Sequence, residues 1–327
     1  MDDIMVLFYK KGNGYDITDL CSTLKWSGRK GSAARSSEIK MLDDDGYHHD
    51  RCPVDVEEGD QILLMLEGKE HFRGMIMDST QTQDKTMTIK AYDNAIYLAN
   101  NKDSFQYKNK TADKIFSDVC SHFSIPTGSV AKCSHTIAEL IESKKTAWDT
   151  IQDALSQDYK ATKVRHYVQS NKGKISLVER KKQLVQWMIE PEHNLINYAY
   201  KRSISNITTR VKVLSSEGKV TAQKINSTLE SKIGIFQDVE SSDKDMTKAQ
   251  INELIQGVLD DSGKPSKSLT VMALGKASLI SGVAVYVTIP ALDIARSFYI
   301  DEDTHTYTQN SHTMQLTLNY ADDVVIK

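Results

Sequence analysis

The residues best equipped for chemistry in this sequence are two matched pairs, Cys120-x-His122 and Cys133-x-His135, whose thiol and imidazole donors are those a zinc ion takes. Their spacing argues against a shared ion. Side chains two apart on a helix point roughly 200° apart, and Cys120 and His122 fall in a segment patterned as a helix. The pattern therefore predicts a buried cysteine and an exposed histidine. His48, His49 and Cys52 form a second cluster in a polar loop, but only one His–Cys pair there resembles ligands, and a tetrahedral set is not visible.

Other chemistries fail at the level of spacing. Gly257 and Gly263-Lys264-Pro265-Ser266 echo a phosphate-binding loop, yet the glycines are one residue too far apart and Pro265 stands where a magnesium-holding hydroxyl belongs. A glycine ending a helix explains them better. Gly12-Asn13-Gly14 lacks the third glycine of a dinucleotide fingerprint. No G-x-S-x-G elbow or comparable cysteine signature offers a nucleophile. Asp43-Asp44-Asp45 and Glu57-Glu58 could be proposed as glycosidase carboxylates, but both lie in turn-like polar runs that read as solvated loops. Lys144-Lys145 and Arg180-Lys181-Lys182 lack interleaved aromatics, so they read as solvated element ends rather than a nucleic-acid patch. Trp26, Trp148 and Trp187 lie in different segments, which favours core packing over a sugar-binding platform. The expectation is therefore no catalytic, cofactor-binding or metal-binding residue and no enzyme.

The elements that must position these residues are mostly strands. The 327 residues suit two or three domains with sizeable cores. Lys and Arg number 41 against 44 Asp and Glu, a net charge of −3, so no basic field attracts nucleic acid or an anionic membrane. Cys21, Cys52, Cys120 and Cys133 are too sparse for a disulfide framework, and the acidic start Met1-Asp2-Asp3 is unlike a secretory signal. The apolar stretch 271–295 contains Lys276, Asp293 and Pro290, and its Val283, Val285, Val287, Ile289 alternation reads as a strand, not a membrane span.

Period-two patterning fills the first hundred residues: Met5 to Tyr9, a hairpin signal at Lys11-Gly12-Asn13-Gly14, then Leu24 to Trp26, Ser37 to Leu42, Ile62 to Glu67, Phe72 to Ile76 and Met87 to Ala91. Near residue 100 the period changes. Ile115, Val119 and Phe123 share a helical face in 111–123. A second helix opens with the capping box Thr146-x-x-Asp149 and offers Trp148, Ile151, Leu155 and Tyr159 as its buried stripe. A hairpin follows around Asn171-Lys172-Gly173. From about residue 200 strands return, interrupted by a helix over 247–262 that starts at the capping box Thr247-x-x-Gln250, buries Ile251, Leu254, Ile255, Val258 and Leu259, and stops at Gly263. The chain reads as mainly β with an α+β insertion.

Val56-Glu57-Glu58-Gly59-Asp60-Gln61-Ile62-Leu63-Leu64, Phe72-Arg73-Gly74-Met75-Ile76, Ala91-Tyr92-Asp93 with Tyr97-Leu98, and the segment Thr111 to Phe123 followed by Ser124-Ile125-Pro126 resemble the XkdQ-like tail hub proteins of phages and phage-derived particles. The ending, from Ser297-Phe298-Tyr299-Ile300-Asp301 through Thr304-His305-Thr306-Tyr307 to His312-Thr313-Met314, resembles that family too. Asp43 to Pro53 and Gly218 to Lys244 match it poorly. The resemblance implies two tail-tube-like antiparallel β-barrel domains, over 1–100 and 196–327, joined by a middle α+β module over 101–195. It implies a homotrimer that adapts a hexameric tail tube, or a tube initiator, on one face to a trimeric spike on the other, with tape measure and baseplate wedge proteins as further contacts. Assembly in the bacterial host cytoplasm and a place in the released baseplate come with it. No cofactor is implied, and His305 and His312, which recur in the family's ending, are read as structural. The alternatives are a cell-wall-binding or peptidoglycan-cleaving tail protein, for which 111–128 faintly resembles a LysM-like unit, and the related hub of a secretion-type injection machine.

Overall fold

Alternating apolar residues, short reach between turns and few helix-forming runs drive the described part of the first ninety residues into short antiparallel strands. The computed structural model describes residues 4–43, 55–180, 184–215, 217–242, 246–309 and 311–320. Strands β1 (Ile4–Lys10), β2 (Asn13–Asp16), β3 (Cys21–Arg29), β4 (Ser36–Leu42), β5 (Gln61–Leu66), β6 (Lys69–Gln81) and β7 (Thr86–Asp93) come first. Their inward faces bury Val6, Phe8, Leu24, Trp26, Ile39, Ile62, Phe72 and Ile89 in one cluster, each large side chain contributing about 1.5–3 kcal/mol of transfer free energy.

The hairpins obey turn chemistry, with one shift from expectation. β1 and β2 are joined by Lys11-Gly12, both at positive φ, so Asn13-Gly14 already belongs to the second strand. Lys172-Gly173 does the same job between β11 (His166–Asn171) and β12 (Lys174–Glu179). Positive φ at both central residues matches the right-handed twist of the flanking strands, and glycine adopts it without strain.

The α+β segment contains α1 (Ile96–Asn100), β8 (Lys102–Thr111), α2 (Ala112–His122), β9 (Thr127–Val130), β10 (Thr136–Thr146) and α3 (Ala147–Thr162), followed by β11 and β12. Ile115, Phe116, Val119 and Cys120 of α2 pack with Ile151 and Ala154 of α3 and with Ile175 and Leu177 of β12. Thr146 caps α3 by accepting the Asp149 N–H at 3.0 Å, while the Asp149 carboxylate takes the Thr146 hydroxyl proton at 2.7 Å, so the reciprocal bond to the cap backbone is not made. The buried face of α3 also differs from the expected stripe. Ala147, Thr150, Ile151, Ala154, Leu155 and Asp158 are buried, and Trp148 and Tyr159 stand at its margin, because small residues let α2 approach closely.

Two compact units result, one built from the described residues up to Tyr198 and from Thr270 onward, the other from Ala199–Leu269. In the first, β13 (Leu184–Ile189), the start of β14 (Leu195–Ser203), the end of β18 (Ser266–Leu274), β19 (Ala284–Ile289), β20 (Ile294–Thr308) and β21 (Ser311–Asn319) join the N-terminal strands. The order is β14-β18-β21-β20-β3-β4-β7-β6-β5-β1-β2, with β19 beside β20 and β13 beside β19. Residues 271–295 are thus the end of β18, all of β19, the start of β20 and their connections, and no helix among the described residues is long and apolar enough to cross a membrane.

The second unit holds β15 (Arg210–Leu214), β16 (Val220–Ile225), α4 (Ser227–Ile233), β17 (Gln237–Ser241) and α5 (Lys248–Ser262). α5 starts at the expected capping box of Thr247 and Gln250 and lays Ile255 on Val211 and Val213. Its end differs in kind: Gly263 has φ −78° rather than a left-handed cap, and glycine is needed because a Cβ there would stand 2.3 Å from the Leu259 carbonyl oxygen. The observed architecture is mainly β, with largely antiparallel pairing and a few parallel pairs such as β13 with β19 and β15 with β17.

Candidate functional site

The residues first suspected of chemistry are mostly dispersed. Cys120 is fully buried on α2, with burial pushing its thiol up to about 12, whereas His122 is half exposed and pairs with Asp103 at 2.8 Å. The splayed geometry expected of an x-spaced pair is what separates them. His48, His49, Cys52, Asp44 and Asp45 lie outside the described residues, as do Lys181 and Lys182. Glu57 pairs with Lys10 and Glu58 accepts the Ser79 hydroxyl, both at the surface. Lys145 bridges Glu142 and Asp153. Trp26 is buried and Trp148 half-buried, but Trp187 is 37% exposed beneath the Lys276 ammonium, so core packing does not describe all three.

Two constellations that no local pattern announced are buried instead. The first is an ionic seam on β20. Asp303, His305 and Tyr307 alternate inward and face Gly28, Trp26 and Leu24 of β3 across the ladder. Arg35, in the connection before β4, reaches Asp303 with both terminal nitrogens, Nη1 to Oδ1 at 2.9 Å and Nη2 to Oδ2 at 2.5 Å, while its guanidinium lies 4.3 Å over the Trp26 ring. Gly28 makes room: a Cβ there would sit 2.3 Å from the Arg35 guanidinium. The Ser281 N–H donates to Asp303 Oδ1 at 2.6 Å. His305 Nε2–H donates to the Leu279 carbonyl at 3.1 Å, which leaves Nδ1 to accept from His312 Nε2–H at 3.0 Å. Burial is the main reason both rings stay neutral, His305 lowered to about 4 and His312 to about 3.

The second is Cys133, Asp158 and His166, whose potential donor atoms all lie within 4.8 Å of one another. Cys133 Sγ is 3.7 Å from His166 Nδ1, and Asp158 Oδ2 is 3.5 Å from the same nitrogen. A cysteine, histidine and carboxylate invite comparison with a nucleophilic triad, and the geometry excludes one: the orienting carboxylate must hold the ring nitrogen opposite the nucleophile. Here both approach Nδ1, and His166 Nε2 is buried without a hydrogen bond. Burial, followed by the charges of Asp158 and Asp113, also pushes the Cys133 thiol up to about 12, the wrong direction for a nucleophile. His135, two residues from Cys133, contributes only its backbone N–H, donated to Asp158 Oδ1 at 3.1 Å. Asp158 was legible in one respect: it falls on the buried stripe of α3 after Ala154 and Leu155, where a carboxylate demands a partner.

Between these constellations lies a cavity of about 270 Å³, lined among others by Arg35, Asp93, Trp148, Tyr159, Tyr167 and Gly282. Its cationic lining is engaged internally: Arg35 with Asp303, Arg165 over the Tyr159 ring at 3.8 Å, Arg180 with Asp301 at 3.2 Å. Burial raises Asp93 to about 6, with its carboxylate accepting the backbone N–H groups of Arg35 and Ala95. The arrangement braces three segments of chain against each other and presents no nucleophile–base pair among the described residues.

Comparison with known proteins follows the same line. The model for YqbQ-like proteins matches residues 24–319. The uncharacterized protein YqbQ of Bacillus subtilis (strain 168) is 32% identical over 293 residues, 88% of this chain and 89% of that one. The phage-like element PBSX protein XkdQ of the same organism is 31% identical over 301 residues, 91% of each. Among solved structures, the 43 kDa tail protein of prophage MuSo2 from Shewanella oneidensis shares the fold with a TM-score of 0.73 at 12% identity, over 96% of this chain and 97% of that one. An Escherichia coli component of the type VI secretion system, described as structurally similar to the T4 bacteriophage tail proteins gp27 and gp5, superposes with a TM-score of 0.57 at 9% identity, over 94% of this chain and 77% of its own.

Proposed function

Because this chain belongs to the YqbQ-like family, we propose that it is the structural baseplate hub of a phage tail or contractile tail-like particle, working by symmetry matching rather than turnover. Three copies form a ring that joins the hexameric tail tube to the trimeric spike, with tape measure and wedge proteins as neighbours. In this reading 1–100 and 196–327 are the two tube-like barrel domains, the latter carrying the helix 247–262, and 101–195 is the module between them. The observation that carries the reading is end-to-end similarity, over 91% of both chains, to a protein of a phage-like element. The surface supports it: Trp187, Met188, Ile196, Tyr198, Met272, Leu274 and Tyr286 are each between 36% and 51% exposed on β13, β14, β18 and β19. Large apolar side chains exposed on two pairs of neighbouring strands, β14 with β18 and β13 with β19, suit surfaces that other subunits cover.

Mass photometry of the purified protein, alone and mixed with its neighbouring tube and spike proteins, tests the proposal. A trimer that joins both partners is expected, with cryo-EM showing a threefold ring. A strict monomer that joins neither refutes the hub, and peptidoglycan release by the pure chain would refute its lack of turnover.

A further inference from the structure

The geometry points to a zinc-class metal site at Cys133, Asp158 and His166, a site independent of the hub role. Three observations lead there. The first is spacing. With metal–sulfur bonds of about 2.3 Å and metal–nitrogen or metal–oxygen bonds of about 2.0–2.1 Å, tetrahedral donors stand roughly 3.6 Å apart for a sulfur–nitrogen edge and roughly 3.3 Å for a nitrogen–oxygen edge. The observed separations are 3.7 Å from Cys133 Sγ to His166 Nδ1 and 3.5 Å from His166 Nδ1 to Asp158 Oδ2.

The second is satisfaction of buried polar atoms. The side chains of His166 and Asp158 are 3% and 1% exposed, and Cys133 is 7% exposed. Asp158 Oδ2 has no hydrogen bond. The Cys133 S–H is a weak donor and His166 Nδ1 carries at most one proton, so the buried carboxylate oxygen is met only at long range, 3.5 Å from Nδ1. One cation at the centre of the three donors meets Sγ, Nδ1 and Oδ2 together and leaves His166 Nε2 as the ring's N–H.

The third is support around the donors. The other carboxylate oxygen of Asp158 accepts the His135 N–H at 3.1 Å, the kind of outer contact that fixes a ligand's orientation. The donors come from three places in the fold, the loop before β10, the last turn of α3 and the first residue of β11. The ion therefore pins a loop, a helix and a strand that are otherwise joined by packing, the His135–Asp158 hydrogen bond and the long Asp158–His166 contact.

Mixed sulfur, nitrogen and oxygen donors select a borderline cation such as Zn²⁺ over Mg²⁺ or Ca²⁺, which take oxygen. On binding, the Cys133 thiol gives its proton to solvent and its sulfur binds the ion as a thiolate, while Asp158 and neutral His166 each donate a lone pair. Three protein donors leave one tetrahedral position for water.

The full-length chain, stripped with a chelator and dialysed, is titrated with ZnCl₂ and separately with CoCl₂. One equivalent of zinc per chain by elemental analysis, a melting temperature that rises with zinc, and a cobalt spectrum with a thiolate charge-transfer band and tetrahedral d–d bands are expected. Cys133→Ser and His166→Gln should each weaken binding by at least about tenfold, and Cys120→Ser should leave it intact. The cobalt spectrum of the unaltered chain needs no variant to fold. Substoichiometric zinc on the folded chain, cobalt binding without a thiolate band, or full binding retained by Cys133→Ser overturns the site.

Discussion

Replacing Arg35 by methionine should cost about 3–5 kcal/mol of folding stability at neutral pH, because it strands a carboxylate in the interior. Asp303 is 0% exposed at its side chain and Arg35 12%, and the pair is bidentate. Methionine keeps much of the stem that lies against Trp26, so the loss isolates the charge rather than the packing. What remains for Asp303 is the Ser281 N–H at 2.6 Å and the His305 ring at 3.6 Å, too little to replace a guanidinium. With a domain's stability near 5–15 kcal/mol, a loss of this size is readable by urea denaturation followed by circular dichroism. One further result discriminates. The double variant Arg35→Met with Asp303→Leu should recover most of the loss, since removing both charges removes the desolvation penalty as well as the attraction. A single-variant cost below about 1 kcal/mol, or a double variant as unstable as the sum of the singles, would refute the account.

Acidification of the unaltered chain from pH 7 to 5 sets two effects against each other. His305, held near 4, and His312, near 3, stay neutral in the fold while their unfolded counterparts protonate near 6.5, so stability present above pH 6.5 drains as pH falls, by about 2 kcal/mol at pH 5 for His305 and about half that for the more exposed His312. Asp93, raised to about 6, takes a proton first in the fold and returns about 1 kcal/mol; the net loss should be about 1–2 kcal/mol by urea titration, larger by about 1 in Asp93→Asn, and a flat profile sinks the argument. On the exposed strands, Ile196→Ser with Leu274→Ser, at 51% exposure each, should leave the melting temperature within about 2 °C of the parent while shifting trimer to monomer in mass photometry; an unshifted trimer places the subunit contact elsewhere.

What could be read beforehand was local. The alternation of β4, β7 and β19, the X-Gly turns and the Thr247 capping box each depend on residues within a few positions of one another, and each appears where the pattern placed it. β8 gave no such signal. Its sequence Lys102–Thr111 is almost wholly polar, and only Tyr107 is buried, because β8 is a strand by virtue of pairing along its length with β10. The α3 stripe failed for a related reason: ranking residues by hydrophobicity selects Trp148 and Tyr159, whereas close helix packing buries Ala147, Ala154 and Thr150. Parallel pairings such as β13 with β19 rest on contacts far apart in sequence and have no local signature at all.

The buried polar groups show why the site resisted reading even where its residues were in view. Cys133 drew attention through His135, two positions away, yet its side-chain neighbour is His166, 33 residues on, and Arg35 meets Asp303 across 268. The inward face of β20 between residues 303 and 307 is Asp, His and Tyr, so hydrophobic alternation cannot set its phase. A bulge between Ile300 and Glu302 changes which residues point inward, from Phe298 and Ile300 before it to Asp303, His305 and Tyr307 after it. Apolar side chains tolerate a displaced neighbour, but a bidentate ion pair does not. A one-residue slip of β20 against β3 would carry Asp303 to the opposite face and leave Arg35 without its carboxylate, a cost of several kcal/mol that the in-register pairing of Asp303 with Gly28 avoids. The seam therefore joins the beginning of the chain to its end in one register, a constraint that the strand pattern of either segment alone does not contain.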